Sequence, residues 1–201
     1  MSYTDDITSS WTRIVRWLES EAPASAQALN PPATVADIRQ LNDALGFRVP
    51  QPLETWLRLN NGSTAKDPRI SIPGGTQLIP HLDSKIFPGG EVFLDCQSIV
   101  AHHRQFLRIA EDIGDEDWWK PSWVPVLAES DAHYGLTLDA GQTGESVPVL
   151  AYRETDYAKS YASSLEEVLE AMADALENPE AGSVLTRGRR AYVQDGRVAW
   201  D

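Results

Sequence analysis

The chain has 201 residues, enough for one sizeable core, and its 42% hydrophobic content with seven tryptophans marks a globular protein rather than a disordered one. Its formal charge of −13 works against direct binding to DNA, RNA or an anionic membrane, whose phosphates it would repel. A single cysteine, Cys96, rules out an internal disulfide and a multi-cysteine zinc site.

The first ten residues, MSYTDDITSS, are polar and acidic, unlike a signal peptide, and are expected to be a flexible N-terminus. No apolar run reaches the roughly 20 residues needed to span a bilayer, so a cytoplasmic location is expected. Ser10 can cap a first helix, WTRIVRWLESEA, in which Trp11, Ile14, Val15 and Leu18 form one stripe. Pro23, Pro31 and Pro32 then predict a loop. Thr34 and Asp37 form an acidic capping box for a second helix with Ile38, Leu41 and Leu45 inward, ended by Gly46.

VPQPLETWLRLNNGS predicts a third helix, begun by Pro50 and Pro52 and carrying Leu53, Trp56 and Leu57 on one face. Asn61 and Gly62 tolerate positive φ, which predicts a left-handed helix ending there. Beyond this corner the pattern changes to strands: ISI and TQLI lie around the turn Pro73-Gly74-Gly75. A helix follows from Asp95 to about Ile109, with Ile99, His103, Phe106 and Leu107 as its stripe. WVPVL, GLTLD and VPVLAY read as strands, with a turn over Asp139 to Gly144. Ser164 and Glu167 predict a capping box for a last helix that buries Leu165, Val168, Leu169, Met172 and Leu176. AYVQDGRVAWD reads as a hairpin turning at Asp195-Gly196, with Tyr192 and Trp200 on its arms. Helices first and strands in the middle give an α+β fold, a single domain with a mainly antiparallel sheet packed with helices.

Catalytic motifs are missing. There is no phosphate-binding glycine loop, no G-x-S-x-G elbow, no H-E-x-x-H and no calcium-loop spacing. His102 and His103 are adjacent, and neighbours on a helix point about 100° apart, which suits no shared metal. Asp131 with His133 could suggest acid–base work, but a polar turn between strands is the simpler account. We therefore expect a non-enzymatic binding protein with no cofactor and no metal.

The order of the segments resembles the SMI1/KNR4 family of the SUKH superfamily. The resemblance rests on the early tryptophan helix, IRQLNDALGFRVP running into LETWLRLNNGS, WVPVLAESDAHYGLTLD, and a strand leading to the last helix. It covers Trp11 to Leu176 and implies a SUKH-like domain over residues 11–176, with residues 177–201 as an extension bearing the hairpin. It implies that Trp56, Asn61, Gly62, Trp123, Pro125, Gly135 and Asp139 are fold-signature residues. Family membership would imply an immunity protein that neutralises a toxin, often a nuclease, by direct binding. The alternative it implies is a regulatory or scaffold module of the cell-wall and signalling type. The proline-rich segment after the first helix, the acidic-aromatic stretch and the C-terminal hairpin depart from the family pattern.

Because the family varies at its binding surface, a partner site must be sought in the residues themselves. The stretch EDIGDEDWWKPSW places Glu111, Asp112, Asp115, Glu116 and Asp117 just before Trp118 and Trp119. Such crowded carboxylates suit a solvated loop with one tryptophan in the core. The sharper alternative is a loop that steers a basic protein partner onto an aromatic anchor.

Overall fold

The first helix begins well before Ser10. In the computed structural model, which describes residues 3–64, 69–78, 81–129, 133–142 and 146–201, α1 spans Tyr3–Glu21. Ile7 is fully buried in the same stripe as Trp11, Ile14 and Leu18. Residues 3–10, expected as part of a flexible N-terminus, lie within this helix, because an apolar residue one turn before Trp11 extends the buried face. Ser10 is a buried residue within the helix rather than its cap. Pro23 also opens a short helix, α2 (Pro23–Ala28), rather than a loop: a proline at the first helical position forfeits no hydrogen bond.

Helix α3 (Val35–Leu45) has the expected capping box, with Asp37 N–H donating to Thr34 Oγ1 at 3.1 Å and Thr34 N–H donating to Asp37 at 2.8 Å. Gly46 closes it at φ 81°. Helix α4 (Gln51–Leu59) follows and buries Leu53, Trp56 and Leu57 completely. Trp56 stacks on Phe93 with centroids 3.7 Å apart and meets Trp11 edge-on at 5.2 Å. These three rings form the centre of the main core.

The Asn-Asn-Gly corner does more than end α4. The residue closing the helix is Asn60, in an extended conformation, rather than Gly62. Asn60 Oδ1 accepts from Trp11 Nε1 at 2.8 Å, and its amide donates to the Asn30 carbonyl at 2.8 Å. Asn61 Oδ1 accepts from the Cys96 N–H at 3.0 Å, satisfying a donor at the start of the next long helix. Gly62 has φ 76°, and a Cβ there would lie 2.5 Å from the Asp95 nitrogen. It is a close-approach glycine, required for the chain to pass against the start of that helix.

The hairpin of β1 (Arg69–Ile72) and β2 (Gly75–Leu78) precedes the main sheet. That sheet contains β3 (Val92–Phe93), β4 (Trp123–Ala128), β5 (Tyr134–Asp139), β6 (Val149–Arg153) and β7 (Asp156–Ala162) in sequential order, all antiparallel. One face packs on the main core with α1, α4 and α6 (Leu165–Glu177); the other carries a smaller aromatic cluster beneath α5 (Cys96–Ile113). Ser164 caps α6 as expected, but Glu167 reaches back to Ser163 rather than closing the box on Ser164.

Gly135 and Pro125 occupy positions where the sheet is tight. A Cβ on Gly135 would sit 2.0 Å from the Leu127 carbonyl and 2.5 Å from the Tyr152 hydroxyl. Pro125 stands opposite Thr137 at a register break in β4, a position compatible with its missing N–H. Asp139 organises the following turn by accepting from the Gly141 N–H at 3.2 Å and the Gln142 amide at 3.0 Å.

The C-terminal segment is integrated into the fold. Two 3₁₀ turns, Pro179–Ala181 and Val184–Thr186, lead to the hairpin of β8 (Ala191–Gln194) and β9 (Arg197–Trp200). Its turn places Asp195 at φ 52° and Gly196 at φ 73°, the two positive angles of the preferred two-residue hairpin turn. Trp200 donates to the Ile86 carbonyl at 3.2 Å, and the Val198 N–H donates to Ser25 Oγ at 3.1 Å. Tyr192 lies on the opposite, exposed face, so the two aromatics do not meet.

Two arginines of this segment neutralise carboxylates buried in the loop before β3: Arg197 pairs with Asp83, and Arg187 with Glu91 at 2.5 Å. Glu91 also accepts from the Gly89 N–H at 2.7 Å.

Candidate partner-binding surface

The acidic stretch is divided between a helix end and a turn. Asp95 caps α5 by accepting from the Ser98 N–H at 2.7 Å, and the helix continues to Ile113, one turn beyond the expected end. Glu111 and Asp112 therefore lie in its last turn, exposed. Carboxylates there oppose the partial negative charge of the helix C-terminus, a cost of roughly 0.3–1 kcal/mol for a charge of the wrong sign. That turn contains no basic residue to offset them.

Gly114, at φ 68°, ends the helix and turns the chain. Asp115 then becomes a structural residue. It accepts from the Asp117 N–H at 3.0 Å and from the Tyr157 hydroxyl at 2.6 Å. The Tyr157 bond is the main cause holding the Asp115 carboxyl below its ordinary pKa, and the same bond raises that of Tyr157. Glu116 and Asp117 project into solvent, with Lys120 3.7 Å from Asp117.

The tryptophans take different positions. Trp119 is only 2% exposed, packed on Phe106 at 4.4 Å, Tyr152 at 5.3 Å and Trp123 at 5.4 Å. It is a core residue and is not accessible as a partner's anchor. Trp118 is half-buried and meets Phe106 edge-on at 6.1 Å, leaving part of its ring at the surface. Trp123 lies in the same buried cluster. Between the end of α5 and the acidic turn, a groove of about 620 Å³ has Leu107, Glu111, Glu116 and Trp119 among its lining residues.

The histidines are used singly. His103 is buried, and because a carbonyl only accepts, its Nε2–H donates to Pro121 at 2.9 Å. His102 bonds its own helix at Ser98 through Nδ1, at 2.8 Å. His133 pairs with Glu154 at 2.5 Å, while Asp131 lies outside the described residues. Among the described residues no group of three histidine, cysteine or acidic side chains is placed to hold a metal.

Sequence reasoning expected a strand leading to the last helix but missed Tyr157 near its start. Tyr157 lies 42 residues from Asp115, so nothing local joins them, and the only available signal was the weak alternation of Tyr157, Lys159 and Tyr161.

Residues 32–171 match the model of the SMI1 / KNR4 family (SUKH-1). The match begins after α2 and ends within α6, so α1 and the C-terminal segment lie outside it. No curated protein matches the chain.

Proposed function

The chain belongs to the SMI1/KNR4 family (SUKH-1), and from that premise we propose that it acts by binding a protein partner rather than by catalysis, as an immunity protein neutralising a basic toxin domain. A nuclease is the toxin class that fits best, because its active-site surface is positive in order to hold phosphates. The observation supporting this reading is the exposure of Glu111, Asp112, Glu116 and Asp117 around the end of α5, against the helix dipole. Carboxylates kept where they cost stability are useful if they accelerate encounter with a cationic surface. Trp118 supplies an adjacent half-buried aromatic contact. No helix among the described residues is long and apolar enough to cross a membrane, which fits action in the cytoplasm.

The test is co-expression with a toxin encoded in an adjacent reading frame. Protection of the host, lost or slowed in the Glu111→Lys, Glu116→Lys double variant, is the expected result. Asp115 is left intact because it structures the turn. Absence of any neutralised toxin, together with stable capture of housekeeping proteins, would replace this reading with that of a regulatory or scaffold module.

A further inference from the structure

The two edges of the main sheet are finished differently. Strand β3 has two residues, and the Ser63 N–H donates to its Phe93 carbonyl at 2.9 Å, so that edge is short and partly paired. Strand β7 has seven residues and pairs with β6 along one side. Among the described residues no backbone–backbone hydrogen bond joins its other side to anything, although the Tyr157 N–H at its start is already taken by Asp156 Oδ1 at 2.9 Å. A row of unpaired amide and carbonyl groups is a template for another strand.

Charge says which kind of strand. The Tyr157 hydroxyl bonded to Asp115 at 2.6 Å fastens one end of β7 to the acidic turn. A segment laid along this edge therefore runs into the carboxylates at the end of α5. Three cations near this edge are already engaged: Lys159 with Asp156, Lys120 with Asp117, and Arg153 over the Tyr134 ring at 5.5 Å. A second copy of this chain brings another charge of −13 to the contact and fits poorly. Lys159 at mid-edge, with register breaks between Val149/Leu150 and Ala151/Arg153, also discourages unselective pairing.

We propose that the outer edge of β7 is a strand-addition site for an extended, lysine- or arginine-rich segment of the protein partner, whose cations are held by the carboxylates at the end of α5. This rests on the binding-protein reading above and adds the mode of recognition. Backbone pairing supplies the geometry and the acids supply the selection.

The probe is an end-capped eight-residue peptide of alternating lysine and valine, titrated into the full chain at low salt and followed by amide NMR shifts. A glutamate–valine peptide and a lysine–valine peptide N-methylated on alternate amides serve as controls. Expected are shifts at Tyr157 to Tyr161, absent with both controls, and at least tenfold weaker binding by the Glu111→Lys, Glu116→Lys variant. Shifts mapping elsewhere, equal binding of the N-methylated peptide, or β7-mediated self-association of the free chain would each overturn the proposal. Such a failure leaves toxin neutralisation through another face intact. Peptide binding without toxin protection would instead remove the toxin and keep the edge site.

Discussion

Removing the guanidinium of Arg187 should expose how strongly the C-terminal segment holds the domain. The Glu91 side chain is 3% exposed and has two partners, Arg187 at 2.5 Å and the Gly89 N–H at 2.7 Å. Arg187→Met keeps an apolar stem but leaves a buried carboxylate with one donor. Breaking one side of a fully buried pair costs about 3–5 kcal/mol. Arg187 is itself 35% exposed, so water relieves part of the loss and we expect about 2–3 kcal/mol. At about 2–4 °C per kcal/mol for a domain of this size, the melting temperature should fall by about 4–12 °C. Thermal unfolding followed by circular dichroism measures this directly. Adding Glu91→Gln should recover at least half of the fall, because a neutral amide does not carry the penalty of an unpaired charge. A melting temperature within about 1 °C of the parent for Arg187→Met would show that the pair does not clamp the segment. An unrescued double variant would show that the loss has another origin.

Gly135→Ala should destabilise by about 3 kcal/mol in a denaturant titration, because the added Cβ meets the Leu127 carbonyl at 2.0 Å and backbone must move. Gly114→Ala meets no atom within 4 Å, so only its φ of 68° counts, and a loss of about 1–2 kcal/mol is expected. Burial pushes the Cys96 thiol up to about 12, so a disulfide reagent at neutral pH should label it only after denaturant unfolds the chain. The Ser163 hydroxyl and N–H hold Glu167 below its ordinary value near 4.5. Its contribution to stability is therefore complete above that value and is lost as pH falls through the lower folded value, which Glu167→Gln should remove from an acid titration.

The helices were legible because their signals are local. Thr34 with Asp37, Asp95 with Ser98, and the Leu53–Trp56–Leu57 stripe each lie within one turn of chain. The hairpin at Asp195-Gly196 was legible for the same reason. What escaped depends on distance in sequence or on short elements. Strand β3 has only two residues, too few to show alternation. The start of α1 was misplaced because Ser10 looks like a cap, whereas burial of Ile7 against the core determines the helix. The candidate surface was half legible: the carboxylates are visible as a run, but their supports are not. Asp115 is separated from the other acids by a bond to Tyr157, and Trp119 from Trp118 by packing on Tyr152. Neither partner is near in the chain.

The arginine clamp also imposes an order on biosynthesis. Arg187 is made 96 residues after Glu91, and Arg197 follows Asp83 by 114. At about 5–20 residues per second, Glu91 waits about 5–20 s for its cation while the helix and strands between them are being completed. During that interval the loop before β3 carries two carboxylates with no arginine to neutralise them, so it stays hydrated instead of closing onto the core. Late closure, on arrival of the C-terminal segment, is the folding order expected from this clamp.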